Sequence, residues 1–273
     1  MSNQSLNDSK NSVKDLLSES AIRSYLMTTV PFTFELHATV TSTNELAKRA
    51  GEAGRAEGLV IIAEEQTAGK GRLDRRFYSP AGNGIYLSIL LRPRIPATEA
   101  LMITTAAAVA GAEAIEEITG CETKIKWVND LYCHGGKAAG ILTEASFSQD
   151  GELEYAVMGI GLNVHEPQMG FPPEIRNIAS AILLSGQQIP EVRSQLVAAF
   201  LTRFWKIYRS LPEKNHLDAY RKRSMLIGQQ VIVSDTDQIA TVLGIDDDCG
   251  LIVRWDNGKE STLSSGEVSV KPR

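Results

Sequence analysis

The sequence predicts an α+β fold: a mixed β-sheet packed by helices, followed by a small β-barrel at the C-terminus. Two observations predict it. Strand-like and helix-like apolar patterns alternate between residue 32 and about residue 223, and the pattern then changes to short β-rich runs separated by turn residues. The length of 273 residues, 43% of them hydrophobic, suits one large domain and one small domain.

We expect the chain to divide into three parts. Residues 1–30 form a polar tail and one helix, residues 31–224 form the main domain, and residues 228–273 form the small β-barrel. The leading helix is predicted because Val13, Leu16, Leu17, Ala21 and Ile22 recur at helical spacing. One helix is too short for a separate DNA-binding domain, since an independent fold usually needs at least about 40 residues.

The first half of the main domain starts with a strand over residues 32–40, which leads into a helix that reaches about residue 53. Ser42 is the predicted N-cap of this helix, and Glu45 has the spacing of a capping box. A buried strand over 59–64, a strand over 85–91 and an Ala-rich helix over 99–119 follow. Gly120 is expected to end that helix.

The second half of the main domain is predicted to contain extended segments and two helices. The extended segments are 123–127, 138–147 and 154–164, separated by tight turns at His134-Gly135-Gly136 and Asp150-Gly151. The helices cover residues 192–211 and a shorter stretch that ends near residue 223. The barrel strands are expected over 230–233, 241–245, 251–255 and 260–263, and the Asn257-Gly258 step favours a type I′ hairpin turn.

Composition narrows the function classes. The net charge of −5 and the pI of about 5.5 argue against general nucleic-acid binding, which depends on clustered Lys and Arg. The sequence contains neither a secretory signal nor an apolar run of about 20 residues. The three cysteines are widely separated and odd in number, as in proteins of a reducing compartment. We therefore expect a cytoplasmic protein that binds neither DNA nor a membrane.

The strongest local signal is a cationic loop, residues 66–80. It carries Lys70, Arg72, Arg75 and Arg76 together with two glycines, and it has no helical or strand periodicity. Glycines let backbone N–H groups approach a ligand closely, and the cations can bind phosphate or carboxylate oxygens. Taken alone, such a loop could also be a solvated surface turn. It is not a P-loop, because Gly71 stands where a Ser or Thr is required.

Four further segments lie at predicted strand ends or loops, where ligands usually bind. They are Ser42-Thr43-Asn44, Lys126-Trp127-Val128-Asn129-Asp130, Lys137-Ala138-Ala139-Gly140-Ile141-Leu142 and Gly159-Ile160-Gly161-Leu162-Asn163-Val164. Together with the cationic loop, and in this order, they resemble the signature of the biotin protein ligase family, the biotin-[acetyl-CoA-carboxylase] ligases. The resemblance extends from about residue 34 to residue 271.

The resemblance implies a class II synthetase-like catalytic domain and an SH3-like C-terminal barrel. It also implies the monofunctional type of ligase, because the leading segment lacks the winged-helix domain that some members carry. Three positions depart from the family pattern: Lys70 stands where arginine is frequent, Phe77 where tryptophan is common and Val128 where proline is usual. Lysine keeps the charge but loses the planar fork of arginine, so we expect weaker ligand binding with the reaction retained.

The activity that the resemblance implies has two steps. Biotin is activated with ATP to biotinyl-5′-AMP, and the biotinyl group is then transferred to a lysine of a biotin carboxyl carrier protein of acetyl-CoA carboxylase or a related carboxylase. Biotin and ATP are thus the substrates, and Mg²⁺ offsets the charge of the triphosphate. A free strand edge could pair with the carrier or with a second copy of the chain in a homodimer.

By the same resemblance, the catalytic candidates are Lys137, Arg72 and Arg75. Lys137 would bridge the biotin carboxylate and the α-phosphate, and the two arginines would hold phosphate oxygens. The residues implied in biotin binding are Ser42, Thr43, Asn44, Gln66, Lys70, Gly71, Arg72 and Lys137. Those implied in ATP binding are Arg75, Phe77, Asn129, Lys137 and Asn163. The four histidines have no metal-ligand spacing, and no metal ligand is predicted.

Two other functions stay open at this point. A lipoate-type protein ligase shares the fold and the adenylation step, although the cationic loop and the C-terminal β-domain favour biotin. A non-catalytic biotin-sensing protein would bind the adenylate without transferring it, although the three catalytic candidates argue against that role. Some residues also have simpler explanations: Ser42 as a helix cap, Trp127 as a core residue, and Gly159 and Gly161 as a β-bulge.

Overall fold

The computed structural model of the chain describes residues 15, 17–27, 30–73, 75–233, 238–264 and 270–272. It confirms the predicted α+β class, with a mixed sheet packed by helices and a small antiparallel sheet near the C-terminus. The helices are α1 (Glu19–Tyr25), α2 (Thr43–Glu52), α3 (Leu101–Thr119), α4 (Val192–Tyr208) and α5 (Leu217–Arg223). The strands are β1 (Thr33–Val40), β2 (Leu59–Gln66), β3 (Gly84–Leu91), β4 (Lys124–Lys126), β5 (Asp130–Cys133), β6 (Gly136–Phe147), β7 (Leu153–Asn163), β8 (Gln230–Val233), β9 (Gln238–Ile245), β10 (Leu251–Trp255), β11 (Glu260–Leu263) and β12 (Val270–Pro272).

The main sheet has seven strands in the order β1-β2-β3-β7-β6-β5-β4. β1 and β2 are parallel, and the other neighbouring pairs are antiparallel. α2 and α3 cover opposite faces of this sheet: Gly111 of α3 lies against Ile160, whereas Asn44 of α2 lies against Gly159. Successive residues of a strand point to opposite faces of the sheet. The face on which Ile160 lies is therefore covered by α3, and the face on which Gly159 lies is the one that α3 leaves open.

α3 is the core helix. Thirteen of its 19 residues are buried, and α4 packs on it from outside. By length and composition alone the segment Ala97–Thr119 could cross a membrane, but 72% of its apolar window is buried inside the protein. A helix that is apolar all round is typical of a protein interior. It ends at Gly120, whose left-handed backbone (φ 70°) is the predicted C-cap.

The capping-box prediction for the start of α2 is wrong, because the expected side-chain hydrogen bond is not formed. Ser42 occupies the N-cap position, but its side chain makes no capping bond. The backbone N–H of Thr43 donates instead to Gln66 Oε1, 2.8 Å away at the end of β2, and Glu45 forms an ion pair with Lys70. Partners that are distant in sequence therefore replace the local ones that the spacing predicts.

Strand β5 was not predicted, because its four residues are too few to give a clear alternation. It is joined to β6 by a two-residue turn at His134 and Gly135, which both have positive φ (51° and 81°). This geometry confirms the predicted tight turn. The hairpin at Asp150-Gly151 between β6 and β7 is also confirmed, with Gly151 at φ 78°.

Other local predictions need correction. The connection between β10 and β11 is not a type I′ turn, because Gly258 has positive φ (81°) and Asn257 does not. The side chain of Asn257 instead accepts a hydrogen bond from the N–H of Lys259, 2.9 Å away, within a longer loop. α4 ends three residues before its predicted end. Of the leading helix, Val13 and Leu16 lie outside the described residues, and the three domain boundaries stay predictions.

The C-terminal sheet has five antiparallel strands in the order β11-β10-β9-β8-β12, including β12, which was not predicted. Its inner positions, such as Val231, Val242 and Val253, are buried. The turn between β9 and β10 contacts the main domain: Trp127 Nε1 donates to the carbonyl of Cys249 over 2.8 Å. This contact joins the small sheet to a segment that borders the candidate site.

Candidate active site

A cavity of about 800 Å³ opens on the side of the main sheet that α3 leaves open. Its walls come from the N-terminus of α2, the cationic loop, strands β5–β7 and residues 172–179. The twelve residues predicted for the site all line this cavity: Ser42, Thr43, Asn44, Gln66, Lys70, Gly71, Arg72, Arg75, Phe77, Asn129, Lys137 and Asn163. The structure therefore brings the predicted residues together, while their individual roles stay predictions.

The cavity wall is strongly cationic. Among the described lining residues, six are cations and two, Asp130 and Glu174, are carboxylates, which leaves an excess of four positive charges. The six cations are Lys70, Arg72, Arg75, Arg76, Lys126 and Lys137. A concave wall of one sign concentrates the field inside it, so this cavity attracts anions even though the whole chain has a net charge of −5.

Lys137 is held by a contact with Asp130. Its Nζ is 2.6 Å from Asp130 Oδ1, and the two side chains are 29% and 20% exposed. The contact is an ion pair without normal hydrogen-bond geometry at Oδ1 within the described structure. A β-bulge makes it possible: Leu131 pairs with Ala139 and Tyr132 with Lys137, which leaves Ala138 unpaired. The extra residue turns Lys137 to the face of β6 on which Asp130 lies.

Arg72 is held by the residue before Asp130. Its Nη1 donates to Asn129 Oδ1 over 3.2 Å, and Asn129 Nδ2 donates to the carbonyl of Ile141 over 2.8 Å. Partial burial lowers the pKa of the Arg72 guanidinium, and the Asp130 carboxylate opposes this shift. Two consecutive residues, Asn129 and Asp130, thus each hold one of the predicted catalytic cations.

The other cations of the loop lie nearer the surface. Lys70 pairs with Glu45 in the first turn of α2, and this hydrogen bond lowers the pKa of Glu45. Arg75 and Arg76 are exposed, and Arg76 forms an isolated β-bridge with Lys70. The N–H of Gly71 donates to the carbonyl of Arg75 over 2.7 Å. The loop therefore folds back on itself and places its outer cations around the mouth of the cavity.

Phe77 and two glycines form the floor of the cavity. Gly140 and Gly161 pair directly across β6 and β7, and the Phe77 ring lies over both. A Cβ atom added at Gly161 would lie 2.5 Å from this ring, and one added at Gly140 would lie 3.3 Å away. The pairing of β6 and β7 is regular at these positions, so the glycines allow a close approach and do not mark the β-bulge considered above.

A hydrogen-bonded cluster closes the other end of the cavity. Gln66 Oε1 accepts from both the N–H and the hydroxyl of Thr43, at 2.8 and 3.1 Å, and Gln66 Nε2 donates to Ser79 over 3.0 Å. The hydroxyl of Ser88 contacts the Thr43 hydroxyl at 2.7 Å. Ser42 is only 2% exposed, and within the described part of the chain its hydroxyl has no partner. That hydroxyl is available to a ligand.

Both ends of the Asn44 side chain are engaged by the protein itself. Its Oδ1 accepts from Ser88, and its Nδ2 donates to Glu144 over 2.9 Å. A Cβ atom added at Gly159 would lie 2.0 Å from Asn44 Oδ1. These contacts join α2 to β3 and β6, so Asn44 shapes this end of the cavity.

Asn163 lies at the opposite end, beside the segment that follows β7. Its Nδ2 is 3.4 Å from the carbonyl of Lys137 and 3.3 Å from that of Ser180. The backbone of Lys137 also bonds this segment, since its N–H donates to Ile178 over 2.7 Å and its carbonyl accepts from Ser180 over 2.9 Å. Residues 178–180 are thereby fixed as the wall next to Lys137.

Sequence reasoning assigned no role to Asp130, to Ser88 behind the cavity or to the wall residues between 172 and 179. Asp130 was inside a selected segment but was given no role, although a carboxylate next to Asn129 at a strand start is a signal. Ser88 is the one polar residue in the otherwise apolar strand Gly84–Leu91, and a fully buried hydroxyl in such a strand needs a partner. That pattern could have been read from the sequence.

No group of three or more His, Cys, Asp or Glu side chains suited to a metal ion occurs in the described ranges. Mg²⁺ does not need such a group, because it is usually bound by one or two carboxylates together with substrate phosphates. Asp130 and Glu174 are the carboxylates among the described lining residues, and Asp130 Oδ1 is at the same time the ion-pair partner of Lys137.

Comparison with protein families gives two matches. Residues 36–163 match the model of the biotin/lipoate A/B protein ligase family. Residues 226–271 match the model of the biotin protein ligase C-terminal domain. The first match contains every predicted site residue, and the second covers the small sheet.

Individual relatives and solved structures agree with these models. The chain is 38% identical over 195 residues to the bifunctional ligase/repressor BirA of Bacillus subtilis, over 71% of this chain and 59% of that protein. It thus spans about three fifths of that relative. It is 32% identical over 239 residues to the biotin--[acetyl-CoA-carboxylase] ligase of Mycobacterium tuberculosis, over 83% and 85% of the two chains. The fold is similar to that of a biotin protein ligase from Aquifex aeolicus in complex with biotin and ATP, with a TM-score of 0.70, 25% identity and coverage of 88% and 99%.

Proposed function

Because the chain belongs to the biotin protein ligase family, we propose that it activates biotin with ATP to biotinyl-5′-AMP and transfers the biotinyl group to a specific lysine of a biotin carboxyl carrier protein. One observation carries the proposal for this chain. Asn129 and Asp130 hold Arg72 and Lys137 in one cavity that has an excess of positive charge. A reaction between a carboxylate and a triphosphate requires this arrangement, because two anions must meet.

In the first step, a carboxylate oxygen of biotin attacks the α-phosphorus of ATP. A new O–P bond forms, the bond from the α-phosphorus to the oxygen that bridges to the β-phosphate breaks, and pyrophosphate leaves with the electron pair. The biotin carboxylate is already ionised, so no general base is needed. In this proposal Lys137 neutralises both the carboxylate and the α-phosphate, while Arg72 and Arg75 bind phosphate oxygens.

In the second step, the neutral amine of the acceptor lysine attacks the acyl carbon of the adenylate. The bond from this carbon to the AMP oxygen breaks, AMP leaves with the electron pair, and the amine releases its proton to water. Before this step the adenylate must be shielded from hydrolysis. The cationic loop can provide that shield, since its outer cations surround the mouth of the cavity and its Phe77 already covers the floor.

The two ends of the cavity suit the two substrates. The cluster around Ser42, Thr43 and Gln66 supplies fixed polar groups, including one hydroxyl available to a ligand, which suits the ureido ring of biotin. The end with Asn129, Asn163 and Phe77 suits the nucleotide, because an aromatic ring and amide groups can contact a base and a ribose. Lys137 and Arg72 adjoin the nucleotide end, through Asn163 and Asn129 respectively, and we assign the bond-forming step to their side chains.

Mg²⁺, when bound, would offset the charge of the triphosphate and of the departing pyrophosphate. Asp130 and Glu174, the two carboxylates among the described lining residues, would hold it, and Asp130 would do so beside Lys137, with which it pairs. We assign the reaction to the cytoplasm, since the three cysteines of the chain are free and buried.

β1 is an edge strand of the main sheet, where the carrier or a second copy of the chain in a homodimer could pair.

The decisive experiment incubates the protein with biotin, MgATP and a purified biotin carboxyl carrier domain, followed by intact mass and peptide mass spectrometry. We expect the mass of one biotinyl group on one lysine of the carrier. A carrier in which that lysine is replaced by arginine serves as the control. Lipoate with a lipoyl domain tests the lipoate-type alternative in parallel. Binding of biotin with neither pyrophosphate release nor transfer would support the non-catalytic biotin-sensing alternative and contradict the proposal.

A further inference from the structure

Tyr220 of α5 lies behind the segment that carries Asn129 and Asp130, outside the cavity wall. The side chain is completely buried, and its hydroxyl donates to the carbonyl of Val128 over 2.9 Å. The same segment has a second buried hydrogen bond, from Trp127 Nε1 to the carbonyl of Cys249. Hydrogen bonds in a dry interior face no competition from water, so these two fix the backbone of residues 127–128 firmly.

The residues that follow Val128 are the two that hold the catalytic candidates. Asn129 accepts a hydrogen bond from Arg72, and Asp130 is the ion-pair partner of Lys137. Because Val128, Asn129 and Asp130 are consecutive, a displacement of the Val128 peptide would move both partners together.

In the hydrogen bond with Val128, the Tyr220 hydroxyl is the donor, because a carbonyl oxygen can only accept. Burial raises the pKa of Tyr220 well above its ordinary value, and the neighbouring Cys249 and Asp130 raise it further, while Arg72 lowers it. The hydroxyl is therefore protonated at neutral pH, as a donor to this carbonyl must be.

We propose that Tyr220 is a positioning residue for the adenylation step: its hydroxyl fixes the Val128 carbonyl, and this orders Asn129 and Asp130 and, through them, Arg72 and Lys137. The inference rests on the proposed function. It assigns a role to a residue that touches neither cation directly and that lies at the junction of the main domain and the C-terminal sheet.

The test compares Y220F with Y208F. Each variant removes one phenolic hydroxyl and keeps the ring; the hydroxyl of Tyr208 donates to Glu57, outside the candidate site. Pyrophosphate release is measured at saturating biotin and ATP, and binding of biotin alone is measured by calorimetry. For Y220F we expect kcat to fall about tenfold, because the reacting groups are misplaced, and the biotin Kd to rise by a clearly smaller factor, because Lys137 and Arg72 are also assigned to biotin. Y208F should change neither quantity.

A double-mutant cycle separates positioning from general destabilisation. In the N129A background the side chain that holds Arg72 is already absent. Y220F can then no longer act through Asn129, so it should reduce kcat by a smaller factor than in the wild-type protein. Y208F should have no effect on kcat in either background. Equal factors for Y220F in both backgrounds would show that Tyr220 does not act through this segment.

Three results decide the inference. Wild-type kcat in Y220F overturns it, and so does a parallel loss of kcat and biotin affinity, which indicates a merely structural role. If Y220F does not fold, W127F removes the other hydrogen bond of the same segment and is measured in the same way; unchanged kcat in folded W127F likewise overturns it. A wild-type protein that releases no pyrophosphate contradicts the proposed function instead.

Discussion

The amine of Lys137 lies 2.6 Å from Asp130 Oδ1, beside the β-bulge in the pairing of β6 with β5. Both side chains are less than a third exposed, so the pair is only partly screened by water. In the free protein, Asp130 therefore balances the charge of Lys137 and fixes the position of its amine. A substrate carboxylate that enters therefore meets an amine that is already charged and held in position.

Replacing Lys137 with methionine should abolish most of the adenylation while the fold remains intact. The variant keeps the length of the side chain and removes its charge, so the two anionic substrates lose the cation between them. We expect pyrophosphate release to fall by a factor of about 100 or more, as for the loss of one preorganised donor. K124M, which removes an exposed lysine paired with Glu122, is the control. Substantial activity in a folded K137M protein would remove Lys137 from its assigned role.

Asp130→Asn should have a smaller effect in the same direction. The amide keeps the shape of the carboxylate but cannot balance the charge of Lys137, so the amine loses its fixed position. We expect kcat for pyrophosphate release to fall about tenfold, because a misplacement near the reacting atoms is costly. E122Q is the matched control at the exposed Lys124–Glu122 pair. If D130N lowered kcat by the same factor in the K137M background as in the wild type, the two residues would not act together.

Gly161→Ala should weaken ATP binding by displacing Phe77. The new methyl group would lie 2.5 Å from the ring, closer than van der Waals contact permits. G244A is a matched control, since Gly244 is also in a strand but has open space at its Cβ position. The KM for ATP should rise in G161A and stay unchanged in G244A. Adding F77A to G161A tests the cause, because removal of the ring should relieve the clash; an equal loss in F77A and F77A/G161A is expected.

His216 should make the stability of the protein depend on pH. Burial lowers the pKa of His216 to about 4, from an ordinary value of 6.5; its Nε2 contacts the hydroxyl of Thr105 at 2.9 Å. Between these two values the unfolded chain binds more protons than the folded one, so the free energy of unfolding rises with pH. The contribution is complete above pH 6.5 and is lost as the pH falls toward 4, with a size of about 3 kcal/mol at most.

Denaturant unfolding of wild type and H216Q between pH 4 and 7 measures this contribution. Glutamine can still reach the Thr105 hydroxyl but does not titrate. We expect the difference in unfolding free energy between the two proteins to change with pH over this range and to be constant above it. If the difference did not depend on pH, His216 would have the same pKa in the folded and the unfolded protein, and the prediction would be wrong.

Local patterns in the sequence predicted much of the fold. The alternation of apolar residues gave α2, α3 and the long strands, and Gly120 ended α3 as expected, because these features depend on neighbours within a few residues. Very short elements and contacts between residues that are distant in sequence were not predicted. β5 has four residues and no clear pattern, and the capping bond expected from Ser42 was replaced by Gln66, which is 23 residues away from Thr43.

For the candidate site, the sequence by itself determined which residues meet: glycines, cations and amides in five ordered segments all line one cavity. Only the tertiary structure decided how they are connected. The unpaired Ala138 turns Lys137 toward Asp130, the missing side chain of Gly161 admits the Phe77 ring, and Tyr220 bonds Val128 from a helix 92 residues further along the chain. The physical reason is that composition and spacing fix which groups are available, whereas strand register and packing between distant segments fix their directions.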